Sequence, residues 1–215
     1  MVTPVRVEVK VCGVTSARDA SLCVEAGADL VGLNFWAGTP RCVDLGRAQA
    51  IVRALPATVT PVAVFVDPTL DEVRRVREAT GIAWVQLHGH EPPALLDALL
   101  PHAYKAVGVG EAPILSETRR YAGDRLLLDA RVPGALPGGT GVAFDWRLAT
   151  EVARERALIL AGGLTPDNVA EAILVVRPFG VDVASGVEQA PGVKDPALVR
   201  RFVAAARAAC GGAAG

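Results

Sequence analysis

The sequence predicts an α/β protein of one domain, a (β/α)8 TIM barrel, and three observations carry that expectation. Short β-branched and aliphatic runs alternate with longer amphipathic stretches from one end of the chain to the other, the pattern of parallel strands joined by crossover helices. Eight such runs can be counted, at 5–11, 30–35, 61–66, 83–87, 104–107, 125–129, 157–161 and 180–184. No Gly-x-Gly-x-x-Gly turn follows the first run, which favours closure into a barrel over an open doubly wound sheet. With 215 residues, 51% of them hydrophobic and 21% charged, the chain has the length and the apolar content for one large core.

Taken in order, the first strand ends at Cys12, and Ser16 followed by Asp19 marks the start of the first helix. The second strand leads into the loop that carries Arg41. After the third, residues 69–80 read as a helix, with Leu70, Val73 and Val76 on one face and Asp71, Arg74, Arg75 and Glu78 on the other. The fourth strand brings Gln86 and, just beyond it, His88 to one face. The sixth runs through Leu126, Leu127 and Leu128 into Asp129, and a stretch rich in Pro and Gly follows at 130–142. Gly162 and Gly163 follow the seventh strand, Ser185 and Gly186 the eighth. Thr165 before Pro166 and Asp195 before Pro196 each place a capping side chain ahead of a proline suited to a first helical turn. The barrel is expected to occupy 1–210, with 211–215 as a frayed, disordered tail.

Charge and cysteine usage narrow the function. With 22 basic and 23 acidic residues, a net charge of −1 and no basic run, nucleic acid is not an expected partner. The absence of a bilayer-length apolar stretch predicts no membrane association and a cytoplasmic protein. Cys12, Cys23, Cys42 and Cys210 show no paired spacing, so reduced thiols are expected. The His88-Gly89-His90 pair lacks a completing ligand cluster, and no metal is expected.

In such barrels the working face is built from strand ends and the loops after them. A free buried cysteine is commonly a small hydrophobe, but Cys12 sits at a strand end. A carboxylate directly after three leucines, as at Asp129, is hard to explain as packing. Side-chain alternation puts Lys10 on the same face as Cys12, and barrel closure brings Asp182 beside strand one, so a buried Lys10–Asp182 pair is expected. The ammonium would favour a Cys12 thiolate and Asp182 would oppose it. The paired glycine loops, Gly162-Gly163 and Ser185-Gly186, fall where many barrels hold a phosphate on backbone N–H groups and a helix N-terminus. The Arg41 fork matches a carboxylate, with a solvated surface arginine as the plain alternative. Gln86 and His88 line the pocket or serve as structural hydrogen-bonding groups, and Trp84, Phe144 and Trp146 read as core or wall residues.

These motifs resemble the phosphoribosylanthranilate isomerase family. The likeness runs through Lys10-Val11-Cys12-Gly13-Val14-Thr15, the Phe35 to Arg41 loop, Val64-Phe65-Val66 and Gln86-Leu87-His88-Gly89. It continues through Leu127-Leu128-Asp129, Gly138-Gly139-Thr140-Gly141, Phe144-Asp145-Trp146, Ala161-Gly162-Gly163-Leu164 and the segment from Val181 to Glu188. The resemblance implies an Amadori rearrangement without a cofactor, with Asp129 as general acid and Cys12 as general base. It further implies that Arg41 pairs with the anthranilate carboxylate and that Gly162, Gly163, Ser185 and Gly186 hold the phosphate. Gln86, His88 and Asp182 join the substrate-binding set. The implied partner is a small phosphorylated substrate, and the implied assembly a monomer or homodimer. Two departures stand out: Ala184 replaces a frequent serine, and Trp36 lies in the strand-two loop. The competing expectations are a metal-dependent pentose-phosphate epimerase, for which three histidines are few, and a silent phosphate-binding barrel that regulates a partner.

Overall fold

The computed structural model describes residues 6–108, 114–129 and 146–211. Eight parallel strands close into a barrel: β1 (Glu8–Cys12), β2 (Leu30–Asn34), β3 (Thr60–Phe65), β4 (Trp84–Leu87), β5 (Ala103–Gly108), β6 (Arg125–Asp129), β7 (Ala157–Ala161) and β8 (Gly180–Val183). β8 returns to β1 in a register that sets Asp182 opposite Lys10, which closes the ring. The helices are α1 (Ala17–Ala26), α2 (Leu45–Ala54), α3 (Leu70–Thr80), α4 (Pro93–Asp97), α5 (Ile114–Thr118), α6 (Trp146–Glu155), α7 (Val169–Val176) and α8 (Pro196–Gly211).

Alternation along each strand divides the apolar residues into two cores. Residues such as Val9, Val11, Leu33, Phe65, Leu126, Leu128 and Val181 point outward and are covered by the helices. Leu30, Val62, Tyr104, Leu127 and Ile159 point inward and form a separate cluster with Trp84 at its edge. Because Leu126 and Leu128 are fully buried, truncating either to Ala is expected to cost about 2–5 kcal/mol.

Local chemistry sets most boundaries. Ser16 Oγ accepts from the Asp19 backbone N–H at 3.1 Å, capping α1. Thr69 and Glu72 form a reciprocal capping box at the start of α3, and Gly81 ends that helix with φ +74°. Asp195 accepts from the N–H groups of Ala197 and Leu198, as Asp195-Pro196 implied.

Other expectations need adjusting. α7 begins at Val169, after Thr165, because Asn168 Oδ1 folds back onto the Thr165 N–H at 2.8 Å and closes a separate turn. β1 starts at Glu8, whereas 1–5 lie outside the described residues. α8 continues to Gly211, so only 212–215 of the expected tail lie outside them. The 130–142 stretch, Phe144 and the Gly138 to Gly141 motif also fall outside. Trp84 and Trp146 pack as core or wall residues, while Trp36 is 45% exposed.

The loop after β8 departs most from expectation. No long helix starts there. A 3-10 turn, Ser185–Val187, leads into a small antiparallel hairpin of β9 (Glu188–Ala190) and β10 (Val193–Lys194). Gly192, with φ +82°, forms the turn of that hairpin, and its carbonyl accepts from Thr15 Oγ1 at 2.6 Å. The hairpin therefore lies over the end of β1.

Candidate active site

Since all eight strands are parallel, their C-terminal ends define one mouth, where Cys12 ends β1 and Asp129 ends β6. Below Cys12 lies a buried polar centre. Lys10 Nζ donates to Asp182 Oδ2 and to Gln86 Oε1, both at 2.8 Å, and the Lys10 and Asp182 side chains are 1% and 7% exposed. Tyr104 Oη donates to the same Gln86 oxygen at 3.1 Å. Room for this arrangement comes from Gly32 on β2: a Cβ there would stand 2.7 Å from Cys12 Sγ and 3.2 Å from Lys10 Cε. The expected Lys10–Asp182 pair is thus present. Burial pushes the Lys10 ammonium down, but Asp182 foremost and then Cys12 and Tyr104 outweigh it, so the net shift is upward.

Gln86 connects this centre to the mouth. Its Nε2 lies 2.8 Å from His88 Nδ1, and His88 Nε2 lies 3.4 Å from Asp129 Oδ2. Four of the expected site residues, Asp182, Gln86, His88 and Asp129, therefore share one network with Lys10, and Cys12 lies above it. Cys12 Sγ also has a long contact of 3.8 Å to Asn34 Oδ1 at the end of β2.

For the Cys12 thiol, burial dominates. It pushes the thiol up; Lys10 and Lys194 pull it down, and Asp182 adds to the rise, so the net shift is upward. The ammonium field anticipated from sequence is present but does not win.

Arg41 is neither solvated nor open on all sides. Its Nε and Nη2 fork onto Glu188 at 2.8 and 2.5 Å. Lys194, fully buried, donates to Glu188 Oε1 at 2.9 Å and to the Cys12 carbonyl at 2.6 Å. The β9–β10 hairpin thereby ties the Arg41 loop to the end of the strand that carries Cys12. Burial pushes the Glu188 carboxyl up, but hydrogen bonds from Arg41 and Lys194 hold it below the usual range. The sequence reading missed Asn34, Tyr104, Glu188 and Lys194 as site residues. For Glu188 and Lys194 the available signal was Pro191-Gly192, a turn pair between two short extended segments.

The two glycine loops meet. Gly162 and Gly163 have φ of +92° and +68°, and a Cβ on Gly186 would collide with the Leu164 carbonyl, so only glycine permits this approach. Among the described residues there is no group of three His, Cys, Asp or Glu side chains arranged to hold a metal. Nor is any described helix long and apolar enough to cross a membrane. A cavity of about 340 Å³ lies at the opposite mouth, lined by Arg6, Glu8, Asp29, Trp84 and Arg125, where the charged groups pair with one another or with Arg207.

The family model for N-(5'-phosphoribosyl)anthranilate (PRA) isomerase matches residues 9–205, from within β1 to within α8. The chain belongs to the N-(5'-phosphoribosyl)anthranilate isomerase family. It is 47% identical over 206 residues to the isomerase of that name from Myxococcus xanthus, covering 94% of this chain and 96% of the relative. Phosphoribosylanthranilate isomerase from Thermotoga maritima superposes with a TM-score of 0.86 at 39% identity, covering 94% and 99% of the two chains. A structure of the isomerase in complex with reduced 1-(o-carboxyphenylamino)-1-deoxyribulose 5-phosphate superposes with a TM-score of 0.82 at 37% identity, over 94% and 99%. As a phosphoribosylanthranilate isomerase family member, the chain is an isomerase of tryptophan biosynthesis with the family's TIM-barrel fold.

Proposed function

We propose that the chain converts N-(5-phosphoribosyl)anthranilate to 1-(2-carboxyphenylamino)-1-deoxyribulose 5-phosphate, with Asp129 as general acid and Cys12 as general base. Asp129 gives its proton to the ribose ring oxygen as the C1–O bond breaks, and the anilino nitrogen lone pair forms the C1=N iminium. Cys12 thiolate then takes the proton from C2, the C2–H electrons form the C1=C2 bond and the C1=N electrons return to nitrogen, giving an enolamine. Tautomerisation, in which C1 gains a proton and the C2 hydroxyl loses one, yields the C2 ketone, and exchange with solvent returns Asp129 to its acid form and Cys12 to its thiolate. No electron leaves or enters the substrate, so acid and base groups suffice and no cofactor is called for.

The observation that carries this reading is the placement of a buried thiol and a half-buried carboxyl at the same barrel mouth, each at a strand end. Arg41 takes the anthranilate carboxylate. Its side-on fork to Glu188 uses Nε and Nη2, which fixes the guanidinium plane and presents Nη1 to a second carboxylate. Gly162, Gly163, Ser185 and Gly186 cradle the phosphate, and Asp182, with Oδ1 buried and unpartnered among the described residues, takes a ribose hydroxyl. Clamping both ends holds the reacting carbons between acid and base. The cytoplasm suits a base that must stay a reduced thiol.

Fluorescence of freshly prepared phosphoribosylanthranilate tests the reading. The expected result is a rapid decay on adding protein that a metal chelator leaves unchanged; decay abolished by the chelator would support the metal-dependent alternative. Because turnover needs a protonated carboxyl at Asp129 and an ionised thiol at Cys12 in the same molecule, kcat/KM is expected to pass through a maximum in pH and to fall above the range of the Cys12 thiol, which burial shifts up. A kcat/KM that keeps rising through and beyond that range would contradict Asp129 as the acid.

A further inference from the structure

The hydrogen-bond chain from the barrel centre to the mouth has a direction, and that direction follows from which atoms are able to donate. An ammonium has hydrogens and no lone pair, so Lys10 Nζ must donate in both of its 2.8 Å contacts. The Gln86 atom facing it must therefore be the carbonyl oxygen, which also accepts from Tyr104. A flipped amide would set its NH2 hydrogens against the ammonium hydrogens. Gln86 is fully buried on β4, so water cannot relieve such a clash. The other end of the amide, Nε2, is then a pure donor, and it lies 2.8 Å from His88 Nδ1. Nδ1 has to accept, which leaves the ring proton on Nε2, the atom that faces Asp129 Oδ2 at 3.4 Å.

We propose that Lys10 and Gln86 are positioning residues that hold His88 as its Nε2–H tautomer, so that a neutral ring N–H is aimed at Asp129 and orients the carboxyl group. This rests on the acid role given to Asp129 above. Oδ2 is an acceptor in this arrangement, so the proton destined for the substrate resides on Oδ1. The opposite tautomer would present a lone pair to Oδ2. That lone pair would capture the carboxylic proton, turning the acid toward His88 and away from the ribose ring oxygen. The 3.4 Å separation is long for a finished hydrogen bond, as is common before substrate closes a site. His88 keeps 35% exposure of its side chain, so one face of the ring stays open to substrate while its edges are engaged. Among the described residues, the groups that face the ring nitrogens are Gln86 and Asp129, while Lys10, Tyr104 and Asp182 connect to it through the Gln86 amide.

Ring nitrogen NMR of the wild-type protein reads the tautomer without any turnover. The expected spectrum, in the neutral-histidine range, has a protonated, pyrrole-like Nε2 and a pyridine-like Nδ1 for His88. Gln86→Glu, which replaces the donor with an acceptor, is expected to move the proton to Nδ1 and to lower kcat about 10²-fold with KM little changed. Two substitutions at His88 separate positioning from bulk. In His88→Gln the amide nitrogen falls near the place of Nε2, and kcat is expected well above that of His88→Asn, whose amide reaches only to the place of Nδ1. A wild-type spectrum with the proton on Nδ1, or equal kcat in the Gln and Asn variants, would overturn the proposal. Full turnover in Asp129→Asn would instead overturn the acid role, and the spectrum would tell the two failures apart.

Discussion

Two buried lysine–carboxylate pairs stand on opposite sides of the same sheet, and their surroundings differ. Lys105 on β5 points outward, 3.1 Å from Glu91, and donates to the carbonyls of Gly89 and Ala106 at 2.8 and 2.6 Å. Glu91 in turn accepts from the N–H groups of Gly89 and Asp67. Nearly every partner is backbone, so this pair staples the loops after β3 and β4 to the sheet. Lys10 on β1 points inward, and among the described residues its ammonium donates to the side chains of Gln86 and Asp182. Burial lowers Lys105 more than Glu91 raises it, whereas for Lys10 the carboxylate and its neighbours win. The same chemistry fastens loops on one face of the barrel and, on the other, anchors the contacts that run through Gln86 and His88 to Asp129.

Removing each lysine is the sharpest way to break that comparison. Lys10→Met and Lys105→Met each leave a carboxylate buried without its partner, and each is expected to lose about 3–5 kcal/mol in chemical denaturation. Only Lys10→Met should also lose kcat per folded molecule, by about 10²-fold, because the Gln86 amide loses its anchor. Equal kcat in the two variants would mean that the inner pair, too, is only a staple. A smaller effect is expected at the hairpin. Glu188→Gln weakens the forked contact that sets the Arg41 plane, and KM for phosphoribosylanthranilate should rise about tenfold, or roughly 1.4 kcal/mol, with kcat nearly kept. An unchanged KM would remove Glu188 from substrate recognition.

The smallest effect separates the outer core from the site by pH. Cys23, under the helices, has its thiol pushed up to about 12 by burial, against an ordinary value of 9.0. Below pH 9.0 neither state ionises there and the contribution is complete; as pH rises from 9.0 toward 12 the unfolded chain releases a proton that the folded chain keeps, so stability falls. Cys23→Val should flatten that alkaline slope and leave kcat untouched. A slope that persists would place its origin elsewhere.

How much of this was legible in the sequence follows from how local each signal is. Asp129 was legible because a carboxylate interrupts an apolar strand within four residues, and Lys10–Asp182 because strand alternation and barrel closure together fix their register. The orientation of Gln86 was not, since it depends on Lys10, 76 residues away, and on Tyr104 across the neighbouring strand. β9 and β10 are three and two residues long, too short for any periodicity, so Glu188 and Lys194 stayed hidden within a recognised motif and beyond it. The ionisation of Cys12 was illegible for another reason: three nearby charges and burial oppose one another, and only their distances decide the sign.

The most direct test of the acid–base account is the decay of phosphoribosylanthranilate fluorescence with the wild-type protein, Cys12→Ser and Asp129→Asn, measured beside the affinity of each for a substrate-like phosphate ligand. The account predicts rapid decay with wild type, a loss of about 10²–10⁴-fold in each variant, and phosphate-ligand affinity nearly unchanged in both. Wild-type turnover in either folded variant would contradict the role given to that residue, and no decay with the wild-type protein would contradict the account as a whole.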